Sequence, residues 1–300
     1  RDLHPRVLWQ RQMCIRDRYI DMSYKIVVDS CCELPEELKH DPRYEIVPLT
    51  LIVGDSYERL DDDGFDQKEF LRAVAECPVS PRSACPSPEK YMEAYRTDAD
   101  HVYVVTLSSK LSGSYNSAVL GKNLYHETYG EKQIYVVDSR SASCGETQIA
   151  MQIARWEDEG MGYEEITEKI EKFTDGMHTY FVLDNLDTLR KNGRLSGVKA
   201  LVASTLSIKP VMAGDQGSIV QLGQSVGIKK ALAKMVDHVV RDVVDAEKKC
   251  LMITHCNNPE RANSVKEQIL AKVKFKDVLI MDTAGISSMY ANDGGVIVTA

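Results

Sequence analysis

The sequence predicts an α/β protein of two lobes. The N-terminal lobe holds a largely parallel sheet with flanking helices, a second α/β lobe follows, and a ligand sits between them. Short apolar runs alternate with amphipathic stretches through the N-terminal half, the order of a parallel sheet covered by helices. Several runs end in small polar residues, at Asp29-Ser30, Thr106 to Ser112 and Asp138-Ser139. Ligands on parallel sheets bind beyond the carboxyl ends of the strands, so these segments are expected to converge. The C-terminal half repeats the mixture of strands and helices without any 20–50-residue period, which excludes a solenoid.

Taken in order, Tyr24 to Ser30 is β-rich, Pro35 to Lys39 reads as a short helix, and Tyr44 to Val53 as the next strand. The acidic loop Asp55 to Asp66 precedes a helix from Gln67 to Glu76. A turn at Ser83 leads to a helix from Ser87 to Thr97, then to the strand His101 to Thr106. A helix is expected from Ser112 to Tyr129 and a strand from Gln133 to Val137. The second lobe is placed at residues 176–300, after the turn Thr174-Asp175-Gly176, and the first at 22–175. Tyr180 to Leu183 is a strand, and Ile208 to Val211 with Ser218 to Leu222 reads as a hairpin across Ala213 to Gly217. Leu232, Met235, Val236, Val239, Val240 and Val243 keep helical spacing within a helix from Lys229 to Lys248. Strands Leu251 to Thr254 and Val278 to Met281 flank a helix from Pro259 to Val273.

Composition narrows the function. The 300 residues are 43% hydrophobic and 27% charged, ordinary for a globular protein with a substantial core. The net charge of −8 argues against a broad nucleic-acid surface. No apolar run is long enough for a membrane span. Residues 1–21 carry five Arg and three Asp with no period and no secretory pattern. The run Met13 to Arg18 resembles translated sequencing adapter, so residues 1–21 are expected to be a non-native leader and Met22 the start. The eight cysteines, at 14, 31, 32, 77, 85, 144, 250 and 256, form no Cys-x-x-Cys pair, so no metal site is expected. Free thiols in a reducing cytoplasm are the default.

The chemistry concentrates at Thr106 to Ala118. A strand runs through hydroxyl-rich residues and Gly113 into a helix start. Unpaired N–H groups and the positive end of the helix dipole suit an anion there, with Ser112 and Ser114 as added donors. The plainer alternative is that Ser112 only caps the helix.

This segment resembles the strand-to-helix segment of the DegV family of fatty-acid-binding proteins. Other segments resemble that family in the same order. They are Val27 to Pro35, Ser83-Ala84-Cys85-Pro86-Ser87, Tyr135 to Ser139, Leu189 to Ser196 with its Gly193-Arg194 pair, and Leu206 to Val211. The resemblance runs from Met22 to the C-terminus. It implies a carrier that holds one long-chain fatty acid in a buried tunnel. The carrier presents the carboxylate to a separate fatty-acid kinase with a dihydroxyacetone-kinase-like domain, which makes acyl-phosphate for phospholipid synthesis. The carrier would have no catalytic residues or cofactor of its own. Carried over residue by residue, Ser83, Ser112 and the Gly113 backbone hold the carboxylate. Ser114, Asn116, His255 and Tyr290 stand behind them, and Arg190 and Arg194 dock the partner or a phosphate; the plainer alternatives are a structural or surface His255, a core hydroxyl at Tyr290, and caps or surface pairs at Arg190 and Arg194. Many members carry a His-x-Gly-Pro-Gly run near the C-terminus. Here Tyr290 stands in place of that His.

The residues themselves suit such a ligand, because hydroxyls and N–H groups satisfy a buried carboxylate without activating it. Two enzymes compete. Gly223-Gln224-Ser225-Val226-Gly227 fits G-x-S-x-G, with Asp245 and His255 following in the order of a serine hydrolase. A Rossmann nucleotide enzyme fits the sheet but lacks its Gly-x-Gly-x-x-Gly. An α/β protein for another small ligand is a further alternative.

Overall fold

The structure is a computed structural model and describes residues 24–196, 198 and 207–300. The leader over 1–21 and the start at Met22 lie outside the described residues.

Four strands form a wholly parallel sheet in the order β2-β1-β6-β7: β1 (Tyr24–Asp29), β2 (Tyr44–Val47), β6 (His101–Thr106) and β7 (Gln133–Asp138). A parallel sheet is covered on both faces, so its central strands read as unbroken apolar runs. Ile26, Val27 and Val28, like Val102 to Val105, are fully buried. Helices α3 (Pro88–Ala94) and α4 (Ser114–Tyr129) cover one face through Tyr91, Tyr95 and Ala118. Helices α5 (Cys144–Asp158) and α6 (Tyr163–Asp175) cover the other. A short helix, α1 (Glu36–Lys39), precedes β2.

The strand expected over Tyr44 to Val53 is two strands in two sheets. Pro48 cannot donate to a ladder, and the chain leaves the parallel sheet at Val47. It restarts as β3 (Thr50–Val53), the centre of a small antiparallel sheet with β4 (Tyr57–Leu60) and β5 (Arg82–Ala84). The expected acidic loop therefore contains β4. It ends at α2 (Gln67–Glu76), whose Lys68 and Glu69 amides donate to the Asp66 side chain at 2.9 Å.

Six strands form the second sheet, in the order β10-β9-β8-β13-β11-β12. They are β8 (Thr179–Val182), β9 (Ile208–Asp215), β10 (Ser218–Val226), β11 (Cys250–His255), β12 (Asp277–Asp282) and β13 (Val296–Thr299). Only β11 and β12 pair in parallel. A short helix, α7 (Asp187–Lys191), follows β8. Helices α8 (Ile228–Asp242) and α9 (Pro259–Leu270) bury one face of the sheet over Tyr180, Val182, Val211, Val296 and Val298. The helix expected to reach Lys248 stops at Asp242. Val243 is extended, and Asp245 takes a left-handed conformation before a single 3-10 turn at Ala246–Lys248.

Helix α5 packs against β1 and β6 of the first sheet and β11 and β13 of the second. Its first half is buried all round, including Glu146, Thr147 and Gln148. A helix without a solvent face shows no amphipathic period. The β9–β10 hairpin tip closes on the first sheet's loops, where the Ser108 hydroxyl donates to the Gly217 carbonyl at 2.7 Å. Gly217 has φ +82°, and a Cβ there would lie 2.5 Å from Ser108 Oγ. Both the conformation and the close approach demand glycine.

Candidate functional site

The loops at the carboxyl ends of β1, β6 and β7 do converge, and two strand-end aspartates draw them together. Asp29 Oδ2 accepts from the Leu107 amide at 2.9 Å and the Ser114 hydroxyl at 2.6 Å, while Oδ1 accepts from the Cys31 amide at 3.1 Å. Asp138 Oδ1 accepts from the Ser109 and Arg140 amides at 3.0 and 3.1 Å. These carboxylates answer backbone donors in loops that have no sheet partner.

Between these loops and the second sheet lies a cavity with about 860 Å³ of empty space, counting its open part. Leu49, Leu107, Leu111, Phe181, Ile219 and Ile286 make much of its wall. Helix α10 (Gly285–Ala291) contributes Ile286, Ser287, Tyr290 and Ala291.

Three polar residues of the lining, Ser83, Tyr290 and Arg194, neighbour one another, and Ser112 follows the Leu111 carbonyl that Arg194 binds. Ser83 on β5 pairs in register with Leu51 and lies beside the Tyr290 phenol. The Arg194 guanidinium carbon lies 5.8 Å from the Tyr290 ring centroid, a cation–π arrangement. Its Nε donates to the Leu111 carbonyl at 3.1 Å, beside Ser112. Burial raises the Tyr290 phenol, opposed by Arg194 and Ser83, so it remains a neutral donor. Arg194 makes no ion pair among the described residues. The lining's other cation, Arg140, is held by Glu171 at 2.9 Å and by Asp175. The described lining contains no carboxylate and no histidine. A cavity with apolar walls, hydroxyl donors and an unopposed guanidinium suits an amphiphilic anion.

Ser83, Ser112, Arg194 and Tyr290 of the candidates line this cavity; the others do not. Ser112 Oγ also accepts from the Ser114 amide at 3.2 Å, a turn contact one residue before the helix cap. The helix begins at Ser114, with Gly113 as an exposed cap. A Cβ on Gly113 would lie 3.1 Å from Cys85 Sγ. Ser114 is buried between Asp29 and the Tyr91 phenol, 2.6 Å from each. Asn116 is exposed. Arg190 is exposed and pairs with Asp187 at 3.1 Å. His255 lies at the end of β11, with Nδ1 3.2 Å from Asp282 and accepting from the Asn258 amide at 3.3 Å. Burial lowers its pKa, against the pull of Asp282.

The hydrolase arrangement is not formed. Ser225 lies on the edge strand β10, and three strands separate it from β11, which carries His255. At about 4.8 Å per strand that is roughly 19 Å. Asp245 pairs instead with Lys248 at 3.0 Å. Among the described residues no three His, Cys, Asp or Glu side chains gather as metal ligands, and no helix is long and apolar enough to cross a membrane.

Sequence reading did not see that four buried acids gather beside the cavity: Asp29, already read at its strand end, with Glu33, Asp61 and Glu146, each at most 4% exposed. Burial pushes Glu33 up to about 7 and Asp61 up to about 6, each opposed by donated hydrogen bonds. Glu146 is raised well above the usual carboxylate range, by burial and by the charge of Asp29, and both its oxygens lack a partner of good geometry. No spacing along the chain marks these four, because only the tertiary fold gathers them.

A family model described as "Uncharacterised protein, DegV family" matches residues 23–299. A DegV domain-containing protein of Streptococcus pyogenes is 34% identical over 281 residues, covering 92% of this chain and 98% of that one. Among solved structures, a DegV-family protein of Ruminococcus gnavus with vaccenic acid is 53% identical with a TM-score of 0.90, covering 93% of this chain and 100% of that one. The Streptococcus pneumoniae Fatty Acid Kinase (Fak) B3 protein loaded with linoleic acid is 30% identical with a TM-score of 0.80, covering 93% and 99%. By sequence and by fold, this chain belongs to the DegV family.

Proposed function

We propose that this protein binds a single long-chain fatty acid in the cavity. The carboxylate accepts hydrogen bonds from Ser83, Ser112, Tyr290 and Arg194, and the tail lies against the apolar wall. The observation that carries this reading is the lining itself, in which Arg194 and the hydroxyls of Ser83, Ser112 and Tyr290 face one apolar cavity whose described residues include no acid. Burying about fifteen methylenes at about 0.8 kcal/mol each contributes roughly 12 kcal/mol before the costs of ordering are subtracted. The fatty acids in the Ruminococcus gnavus and Streptococcus pneumoniae proteins support it.

The protein acts in the cytoplasm as a carrier and not as an enzyme. A lining of hydroxyls and guanidinium holds an acid without offering a base to activate it. A separate fatty-acid kinase phosphorylates the presented carboxylate, in keeping with the name of the Streptococcus pneumoniae relative. Exposed Arg190 is placed to meet that partner, whereas Arg194 serves the ligand.

Native mass spectrometry of the purified protein tests the reading. A mass increment equal to one fatty acid, displaced by added vaccenic acid, is expected. An increment of another mass that vaccenic acid does not displace supports a different small ligand and overturns it. With a fatty-acid kinase and MgATP the bound acid becomes acyl-phosphate. The same product without any kinase contradicts the carrier role.

A further inference from the structure

Four of the seven residues of α10 line the cavity, yet the helix is short and comes from the far end of the chain. What fixes it is a set of side chains from the N-terminal half. Asp61, in the loop after β4, accepts from the Gly285 amide at 2.7 Å through Oδ1 and from the Ile286 amide at 2.9 Å through Oδ2. Glu33 Oε1 accepts from the Ala284 amide at 3.2 Å, and its Oε2 accepts from the Ser143 hydroxyl at 2.6 Å. Gln67 Nε2 donates to the Thr283 carbonyl at 2.9 Å and to the Ser288 hydroxyl at 3.1 Å. The seat is tight. A Cβ on Gly285 would lie 2.4 Å from Leu51 Cδ1 and 2.5 Å from Asp61 Oδ1.

We propose that Asp61 is a positioning residue for ligand binding: it holds the first turn of α10 and thereby sets Ser287 and Tyr290 on the cavity wall without touching the acid. Three donors of the turn are answered by two carboxylates, and each bond restrains the helix along its axis and in rotation. Rotation matters because Tyr290 lies one turn beyond Ile286 on the same side of the helix. Loosening this end displaces the phenol from Ser83 and Arg194. The inference rests on the fatty-acid reading above.

Asp61 also gives the arrangement a measurable pH dependence. It faces the Gly285 and Ile286 amides, the Ser30 hydroxyl and the carboxyls of Asp29 and Glu33. Ionised, it answers both amides. Protonated, it gives up one acceptor to its own proton. Asp61→Asn reproduces the protonated state at every pH.

The test is displacement of cis-parinaric acid by vaccenic acid, with melting temperatures measured in parallel. At about pH 7.5, Asp61→Asn is expected to bind roughly tenfold more weakly than wild type. As the pH is lowered to about 5, below the Asp61 carboxyl, that ratio is expected to fall toward one. A residue needed only for stability leaves the ratio flat. Gln67→Leu, a milder change at a half-buried position, is expected to weaken binding about threefold and serves if Asp61→Asn does not fold. A folded Asp61→Asn with wild-type affinity at the higher pH, a flat ratio, or unchanged binding by Gln67→Leu where Asp61→Asn is unfolded overturns the positioning role. A wild type that binds no fatty acid removes the function and this inference together.

Discussion

The two sheets meet the cavity in opposite ways. The parallel sheet reaches it with loops beyond its strand ends, at Cys31, at Leu107 to Ser112 and at Arg140 to Ser143. The mixed sheet reaches it with strand residues, Thr179, Phe181, Gly214, Ser218, Ile219 and Ile297 among them. Side chains alternate along that sheet. Tyr180, Val182, Val296 and Val298 face α8 and α9, while Phe181 and Ile297 join the cluster beside the cavity. Loops at parallel strand ends place small polar groups, and a strand face offers a flat apolar wall. A ligand with a charged head and a long tail needs both. Asp29 and Asp138 belong to this division of labour, because they brace the loops and stay out of the lining.

Substitutions divide between the head and the tail of the ligand, Arg194 adding its charge from the turn after α7. The largest loss is expected for Arg194→Ala, which strips the bound carboxylate of its countercharge, by about 3 kcal/mol or roughly a hundredfold in Kd. Ser112→Ala is expected to cost about 2 kcal/mol through one lost charged hydrogen bond. Both are read by displacement titration over acids of several lengths, and both are expected to weaken all acids equally. Ile219→Ala on the mixed sheet is expected to cost about 1 kcal/mol and to act on the tail, shifting preference among chain lengths. A length-dependent effect of Ser112→Ala, or a uniform one of Ile219→Ala, would break the comparison. Ser225→Ala, at the outer edge of the mixed sheet, is expected to change affinity by less than about 0.5 kcal/mol and to leave binding kinetics as they are.

Much of this arrangement was legible in the sequence because it is local. The apolar runs of β1, β6 and β7 and their polar ends declare themselves, as does the strand-to-helix passage at Ser112. The split at Pro48 was legible in principle, since the residue cannot serve a central ladder. Helix α5 was not, because it is wedged between two sheets and its polar residues are buried. Strand β13 was missed although Gly294-Gly295 precedes the β-branched run from Val296. Ser114 read as a ligand donor, but its hydroxyl is taken by Asp29 across 85 residues of sequence. His255 likewise read as a donor, and its place on β11 removes it from the lining. Of the buried acids, Asp29 was read at its strand end and Glu33 within the Val27 to Pro35 segment, whereas Asp61 and Glu146 carried no local signature. Resemblance placed Ser83 and Tyr290 together, and both do line the cavity, which does not test what they bind.

The central claim is that one carboxylate lies among Ser83, Ser112, Tyr290 and Arg194, and carbon NMR of oleic acid labelled with ¹³C at the carboxyl tests it most directly. At neutral pH the account predicts a single bound carboxylate resonance saturating at one acid per chain, shifted in Arg194→Ala and Ser112→Ala and unmoved in Ser225→Ala. Several bound resonances, or one that is indifferent to Arg194→Ala and Ser112→Ala, would contradict it.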